Sequence, residues 1–251
     1  MSADASRSAV PSPRHGYTAA QVRAAEAPLL AAGEPLMQRA AAALADEIER
    51  LVARATDVAG RPLVIVLAGS GDNGGDALFA GAHLAERGAD VRLVAVGARL
   101  HEAGAAAARG AGAVDLDPDA DADAFADAID AADVLVDGIL GIGAAASPAL
   151  RGRSREIVAR VLERLADRGH AERPPGTRHP LVVAVDLPSG ISPDDGRVPD
   201  PTVLPADLTV TMGAAKAGLL LPPASRLAGR VVLVDLGLGP ALADVEPVVT
   251  V

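Results

Sequence analysis

The sequence predicts a single Rossmann-like α/β domain of three layers, with a mainly parallel sheet and helices on both faces. Short apolar runs of strand length alternate with longer segments of helical periodicity from residue 63 onward. Strands that alternate with helices in this way form parallel sheets. Hydrophobic residues make up 50% of the chain and many of them are alanine, which allows helices to pack closely on a sheet.

The helices are predicted from apolar spacing and from capping residues. Thr18 is placed to cap the first helix, and Gly88 is placed to end the third. In the second helix, Leu36, Leu44 and Ile48 recur near the helical period. The predicted helices cover residues 19–32, 34–55, 74–87, 102–110, 124–131 and 154–168.

The strands are predicted from short apolar runs that are bounded by turn residues. The first is continuously apolar, as in a strand that is covered on both faces. The predicted strands cover residues 63–68, 91–96, 134–137, 181–186, 208–211 and 231–235, with a loop at 170–180. Residues 1–16 are predicted to be a disordered tail, and residues 17–251 are predicted to form the domain.

Composition excludes several classes of function. The formal net charge is -10 and the only aromatic residues are one Tyr and two Phe, so we expect no nucleic acid and no membrane as a partner. There is no cysteine, which excludes disulfides, thiolate metal sites and a cysteine nucleophile. We expect a cytoplasmic protein, because the first residues show no secretory signal and no stretch is apolar enough to span a membrane.

A glycine-rich octapeptide follows the first strand of the alternating region: Gly69-Ser70-Gly71-Asp72-Asn73-Gly74-Gly75-Asp76. Its glycines match the dinucleotide-binding pattern between a strand and a helix. However, the second strand lacks the acidic residue that binds a ribose hydroxyl in such folds. Asp72 and Asp76 would also repel a diphosphate unless a cation or hydrogen bonds compensate. The segment therefore indicates a polar ligand, the alternative being glycines that only turn the chain.

Four further polar groups stand at or just beyond the ends of predicted strands. Asp137 and Asp186 each close an apolar strand, and Ser189 follows Asp186 in an Asp-Leu-Pro-Ser-Gly turn. Ligands of parallel sheets bind outside these carboxyl ends, although aspartate before glycine or proline is also ordinary turn chemistry. Lys216 lies beyond another strand, where it offsets the loop carboxylates, binds phosphate or is simply solvated.

Together these motifs resemble the YjeF N-terminal domain family, the NAD(P)H-hydrate epimerases, over roughly residues 17–240. The resemblance rests on residues 16–23, which resemble the family's opening helix, and on residues 35–41, which resemble its second. It also rests on the octapeptide and on three later motifs in the family's order. These motifs are the Asp137-x-x-x-Gly141-x-Gly143 segment, the Asp186-Leu187-Pro188-Ser189-Gly190 turn and the run from Ala206 through Lys216.

The resemblance implies an isomerase of nicotinamide nucleotide repair. The family converts the R epimer of hydrated NADH or NADPH, written NAD(P)HX, into the S epimer, which an ATP- or ADP-dependent dehydratase then repairs. Potassium is the implied cofactor, with Asn73, Asp137 and Ser189 as its oxygen ligands. The implied substrate contacts are Asp72, Asn73, Gly74, Gly75, Asp76, Gly141, Ile142, Gly143, Ala144, Ala145, Ala146, Ser147, Asp186 and Lys216. We expect a homodimer that contacts through its N-terminal helices, and a separate dehydratase.

Asp186 is the expected catalytic acid–base. If it protonates the C6 hydroxyl, the adjacent ring nitrogen expels water, and water that returns to the other face gives the other epimer. The chain departs from the family's usual residues at three positions, with Asp72 for Asn, Ile142 for Thr and Ala77 for Gly. Two alternatives stay open, namely an inactive binding module on the same fold and an ordinary NAD(P)-dependent oxidoreductase.

Overall fold

A seven-stranded parallel sheet forms the centre of the molecule. The computed structural model describes residues 15–55, 60–167 and 179–251. The strands of the sheet, in chain order, are β2 (Leu63–Ala68), β3 (Asp90–Ala95), β4 (Val114–Asp115), β5 (Val134–Gly138), β6 (Leu181–Val185), β7 (Leu208–Met212) and β8 (Arg230–Val234). Every neighbouring pair is parallel, which confirms the predicted sheet.

The order of strands across the sheet is β4-β3-β2-β5-β6-β7-β8. From β2 the chain winds towards one edge through β3 and β4, and from β5 it winds towards the other. The direction of winding therefore reverses between β2 and β5, where Ala68 lies in register with Gly138. In open parallel sheets the crevice for a ligand opens at such a reversal, outside the carboxyl ends of the two strands.

Helices cover both faces of the sheet and give the predicted three layers. Successive residues of β2 point to opposite faces. Val64 and Val66 pack with the helices at residues 36–54, 72–86 and 102–110, whereas Ile65 and Leu67 pack with those at 122–131 and 152–167. The helices are α1 (Ala19–Ala31), α2 (Leu36–Arg54), α3 (Asp72–Glu86), α4 (Glu102–Gly110), α5 (Ala122–Ala131), α6 (Gly152–Asp167) and the short α7 (Gly239–Leu242). Within the three described ranges, no helix is both long and apolar enough to cross a bilayer.

The predicted elements are confirmed, with shifts at their ends. The shift that matters most for function is at the start of α3, which begins at Asp72 rather than at residue 74. Asp72 and Asn73 of the octapeptide therefore lie in the first turn of the helix and not in the loop that precedes it. Helix α5 also begins two residues earlier than predicted, at Ala122, because the Asp121 carboxylate accepts the Ala124 N–H at 2.8 Å and caps the helix. Within the predicted loop at 170–180, residues 170–178 lie outside the described part of the chain.

A small two-stranded sheet corrects the boundary of the predicted tail. β1 (His15–Gly16) pairs antiparallel with β9 (Val249–Thr250). A Cβ on Gly16 would lie 2.8 Å from Ala217 Cα, so the backbone of β1 is packed closely on the body of the domain. His15 and Gly16 are thus structured, and residues 1–14 lie outside the described ranges.

Candidate functional site

A cleft of about 630 Å³ opens at the reversal point of the sheet. Its floor is formed by the turn after β2 and the turn after β5, which touch each other. A Cβ on Gly69 would lie 1.9 Å from the Ile139 carbonyl oxygen, and a Cβ on Gly74 would lie 2.1 Å from the Gly69 carbonyl oxygen. These glycines are required because backbone approaches backbone at the base of the cleft.

The amino end of α3 forms one wall of the cleft. Asp72, Asn73 and Asp76 line it, and the free N–H groups of the first helical turn are the kind of donor that anions bind. Gly74 and Gly75 are buried in this turn and do not line the cleft. A Cβ on Gly75 would lie 3.0 Å from Met37 Cε, so Gly75 allows α2 to pack against α3.

Asp186 and Lys216 form an ion pair in the cleft. The Asp186 Oδ1 atom accepts hydrogen bonds from Lys216 Nζ, from the Thr211 hydroxyl at 3.2 Å and from the Met212 N–H at 3.1 Å. Asp186 has a φ of 67°, which is the left-handed region that few residues other than glycine adopt. Strained backbone of this kind is concentrated at functional sites.

Lys216 is not a solvated lysine, because only 1% of the residue is exposed. Its Nζ also donates to the Met212 carbonyl at 2.8 Å. The main chain on either side of it is bound to Tyr17, whose N–H donates to the Ala215 carbonyl and whose carbonyl accepts from the Ala217 N–H, each at 2.9 Å. The lysine is therefore fixed from both its side chain and its backbone.

Asp137 and Ser189 meet beneath the cleft, as the strand ends predict. The Ser189 hydroxyl donates to Asp137 Oδ1 at 2.6 Å, and the Ser189 N–H donates to Asp137 Oδ2 at 2.8 Å. Leu140 joins this pair to the cleft wall, because its N–H donates to Ser189 Oγ at 2.8 Å and its carbonyl accepts from Asn73 Nδ2 at 3.1 Å. The three predicted ion ligands therefore belong to one connected network.

The chemistry of this network fits a hard cation. Its donors are carboxylate, hydroxyl, amide and carbonyl oxygens, the ligands that such ions prefer. Asp137 is 1% exposed, and no cationic side chain of the described residues pairs with it. Burial raises the pKa of Asp137, while the Ser189 and Ile139 donors lower it. Within the described part of the chain, no three His, Cys, Asp or Glu residues are placed so that they could hold one metal ion together.

The segment after β5 contributes only its first half to the cleft. Gly141, Ile142, Gly143 and Ala144 line it, and Ile142–Ala144 form one 3₁₀ turn. By contrast, the remaining implied substrate contacts, Ala145, Ala146 and Ser147, do not line the cleft.

Helix α1 supplies two charged groups that the sequence analysis missed. Arg23 and Glu26 both line the cleft, and Arg23 NH1 lies 3.5 Å from the Ile142 carbonyl oxygen. The buried stripe of α1 consists of Ala19, Val22 and Ala25. Charged residues bordering such a stripe also occur on helices without any function, so the pattern alone could not mark Arg23 and Glu26 as site residues.

Two acidic groups of the cleft, Asp76 and Glu26, have raised pKa values. Burial raises the pKa of Asp76 well above its ordinary value, and the neighbouring carboxylates of Asp186, Asp72 and Glu26 raise it further. Burial also raises the pKa of Glu26, against the lowering effect of Lys216. The cleft thus combines a carboxylate held in an ion pair with carboxyl groups that retain a proton more readily than usual.

One family model and one solved structure resemble this chain over most of its length. Residues 33–218 match the family model described as YjeF-related protein N-terminus. The yeast protein ynu0, YNL200c, has a crystal structure of the same fold, with a TM-score of 0.65 at 18% identity over 92% of this chain and 94% of that one.

Curated relatives match at much higher identity. The NAD(P)H-hydrate epimerase of Clavibacter sepedonicus is 51% identical over 89% of this chain and 90% of its own length. The NAD(P)H-hydrate epimerase of Microbacterium testaceum is 52% identical over 93% of this chain and 83% of its own length. The bifunctional NAD(P)H-hydrate repair enzyme Nnr of Mycobacterium tuberculosis is 41% identical over 92% of this chain and 43% of its own length. The chain therefore belongs to the YjeF-related N-terminus family.

Proposed function

We propose that this protein is an NAD(P)H-hydrate epimerase, which interconverts the R and S forms of hydrated NADH and NADPH. The observation that carries the proposal is the Asp186–Lys216 ion pair in a cleft at the reversal point of the sheet. Relatives of about 50% identity over most of the chain have the same activity in their names. The names of these relatives give no support to the alternative interpretation, an ordinary NAD(P)-dependent oxidoreductase.

The chemistry requires an acid–base group and no net oxidation. The hydrated ring carries a hydroxyl group at C6, next to the ring nitrogen. Protonation of that hydroxyl lets the nitrogen lone pair expel water, and readdition of water to the opposite face of C6 gives the other epimer. Asp186 is the group that we assign to proton transfer, with Lys216 and Thr211 holding its Oδ1 atom in place.

The cleft also has donors for the diphosphate of the substrate. The first turn of α3 offers free N–H groups to an anion, and Arg23 adds a positive charge at the wall formed by α1. Asp72 and Asp76 oppose this attraction. A phosphate group near the amino end of α3 therefore needs a neighbouring cation or a protonated carboxyl group.

Potassium is the cofactor that we propose, held by Asn73, Asp137 and Ser189. The buried Asp137 carboxylate without a cationic partner among the described residues supports this assignment, because a buried charge is stable only when it is compensated. When bound, the ion supplies positive charge that stabilises the diphosphate and the Asp137 carboxylate.

The proposed setting is the cytoplasm, with a separate dehydratase that uses the S epimer. The Mycobacterium tuberculosis relative, of which this chain covers 43%, is named a bifunctional repair enzyme, which supports two successive activities. We further propose a homodimer that contacts through α1, where Leu30 is 58% exposed. Sedimentation of the full chain and of Leu30→Asp tests the dimer, and equal masses for both proteins would contradict that contact.

The first experiment is an epimerisation assay on R-enriched NADHX in the presence of potassium, followed by proton NMR or HPLC. We expect conversion towards the equilibrium mixture faster than the spontaneous rate, and its loss in Asp186→Asn. A matched control is Asp235→Asn, because Asp235 is an exposed aspartate beyond the end of β8 that does not line the cleft. A folded wild-type protein without acceleration would favour an inactive binding module.

A further inference from the structure

The carboxyl groups of the cleft differ sharply in their hydrogen bonding. Asp186 Oδ1 receives donors from Lys216, Thr211 and the Met212 main chain. Asp76 and Glu26 line the same cleft, yet neither accepts a hydrogen bond from, nor forms an ion pair with, any of the described residues. Donors of this kind stabilise a carboxylate, and among these three groups only Asp186 has them.

The titratable groups of the cleft cannot all be ionised at once. Four carboxyl groups, Glu26, Asp72, Asp76 and Asp186, share it with two cations, Arg23 and Lys216. Lys216 is already paired with Asp186. The substrate adds the charge of a diphosphate. Repulsion among these groups is strong in a partly desolvated cleft, so the lowest-energy state has a proton on a carboxyl group without donors.

Position on α3 separates Asp76 from Asp72. Asp72 is the first residue of the helix and is exposed, where the free N–H groups and the helix dipole favour a negative charge. Asp76 lies a full turn later and is half-buried, beyond the free N–H groups, because the Gly75 N–H already bonds to the Gly71 carbonyl at 3.1 Å. The helix therefore stabilises the charge of Asp72 more than that of Asp76.

We propose that Asp76 is a second catalytic residue, which delivers a proton to the C6 hydroxyl while the ion-paired Asp186 carboxylate acts as the base. This inference rests on the proposed epimerase function. Asp76 enters the cleft from α3 and Asp186 from the end of β6, so the two groups approach the substrate from different elements. With two such groups, one can protonate the departing C6 hydroxyl and the other can take a proton from the water that returns to the opposite face.

The proposed step balances. The Asp76 proton passes to the C6 hydroxyl, the C6–O bond breaks with loss of water, and the lone pair of the ring nitrogen forms a C=N bond. Water then adds to the other face of C6, its proton passes to Asp186, and the C=N electrons return to nitrogen. The enzyme is left with Asp76 ionised and Asp186 protonated. Transfer of that proton between the two groups through water in the cleft restores the starting state.

The electrostatics of the cleft agree with this division of roles. The pKa of Asp76 is raised by burial and by Asp186, Asp72 and Glu26, and Lys216 alone among the groups acting on it lowers it. Glu26 has no role in proton delivery to the substrate in this scheme. It is a positioning residue, whose negative charge helps Asp76 to keep its proton.

The test is the pH dependence of kcat and kcat/KM for epimerisation, corrected for the spontaneous rate. Wild-type activity should fall at high pH as Asp76 loses its proton. Asp76→Asn should lower kcat by about 100-fold or more, and its residual activity should lack that alkaline fall. Glu26→Gln removes a charge that raises the pKa of Asp76, so the alkaline fall should move to lower pH.

Asp72→Asn is the charge-matched control, because it removes one negative charge from the same cleft and should keep the alkaline fall, moved to lower pH since Asp72 also raises the pKa of Asp76. If Asp76→Asn keeps the alkaline fall, or raises KM at an unchanged kcat, the acid is another group and the inference is overturned. An inactive wild-type protein would instead overturn the proposed function. Circular dichroism of each variant checks that the fold is intact.

Discussion

The methyl group of Ala77 on α3 occupies the space that a side chain at position 138 of β5 would need. A Cβ on Gly138 would lie 2.3 Å from Ala77 Cβ and 3.2 Å from the Asn73 carbonyl oxygen. Helix α3 is therefore packed directly on the strand that carries Asp137, and this contact sets the spacing between the helix and the ion network. The alanine at position 77 therefore depends on a glycine at position 138.

We predict that Gly138→Ala lowers the free energy of unfolding by about 1–3 kcal/mol, because the added methyl group overpacks this contact. Ala77→Gly alone should cost about 1 kcal/mol as a glycine in a helix. The double variant should be more stable than the sum of the two losses predicts, since removal of one methyl group makes room for the other. Urea unfolding of the four proteins measures the coupling, and strict additivity would contradict the contact.

A second prediction concerns the buried ion pair. Lys216→Met leaves the Asp186 carboxylate without its cation, and breaking a buried pair costs about 3–5 kcal/mol. Lys216→Met with Asp186→Asn removes both charges and should recover most of that stability, while activity stays lost. Thermal and urea unfolding follow the stability, and the epimerisation assay follows the activity. A double variant no more stable than Lys216→Met would show that packing of the lysine chain, and not charge pairing, dominates.

Potassium should raise both activity and stability. Replacement of potassium by choline in the buffer should slow epimerisation, and return of potassium should restore it with a saturable dependence. A ligand that binds only the folded state also raises the midpoint of unfolding. Ser189→Ala removes a hydroxyl ligand and should weaken the response to potassium. Ser225→Ala is the matched control, because Ser225 lies in the 3₁₀ turn Ala224–Arg226, outside the network. Equal responses in both variants would exclude Ser189 as a ligand.

Stability should fall as the pH rises, in part through Asp76. Its pKa is higher in the folded protein than the ordinary value of 3.8, so the folded state binds more protons than the unfolded state above that value. The free energy of unfolding then decreases with pH until the folded-state pKa is passed. Asp76→Asn cannot ionise, so its midpoint in urea at neutral pH should be higher than that of the wild type and should vary less between pH 5 and pH 8. An unchanged slope would show that Asp76 is ionised throughout this range.

Most of the fold follows from local pattern. The apolar run at residues 63–68 matches β2 at both ends, because a strand buried on both faces has an unambiguous composition. The start of α3 does not follow from the same reasoning. The predicted helix begins at Gly74, whereas the Gly75 N–H bonds to the Gly71 carbonyl at 3.1 Å and brings Asp72 and Asn73 into the helix. The close approach of Gly74 to Gly69 at this turn is a tertiary contact that local propensity does not encode.

The positions of the acidic residues at the strand ends could be predicted from the sequence, but the contribution of α1 to the cleft could not. A parallel sheet brings Asp137 and Asp186 to one edge whatever the details of the loops. Glu26 enters the cleft through the tertiary docking of a helix whose buried stripe is narrow, with Val22 and Ala25 on it. The pairing of Lys216 with Asp186 likewise depends on a long-range contact that periodicity does not encode.

The binding of Tyr17 to the main chain around Lys216 has a kinetic consequence. This contact joins positions near opposite ends of the described chain, and segments so far apart in sequence meet late and slowly during folding. In refolding from urea, circular dichroism should therefore return before enzymatic turnover, and the lag between the two signals would time the docking of the amino-terminal segment. The recovery of enzymatic activity would then mark the moment at which the amino-terminal segment has docked and folding is complete.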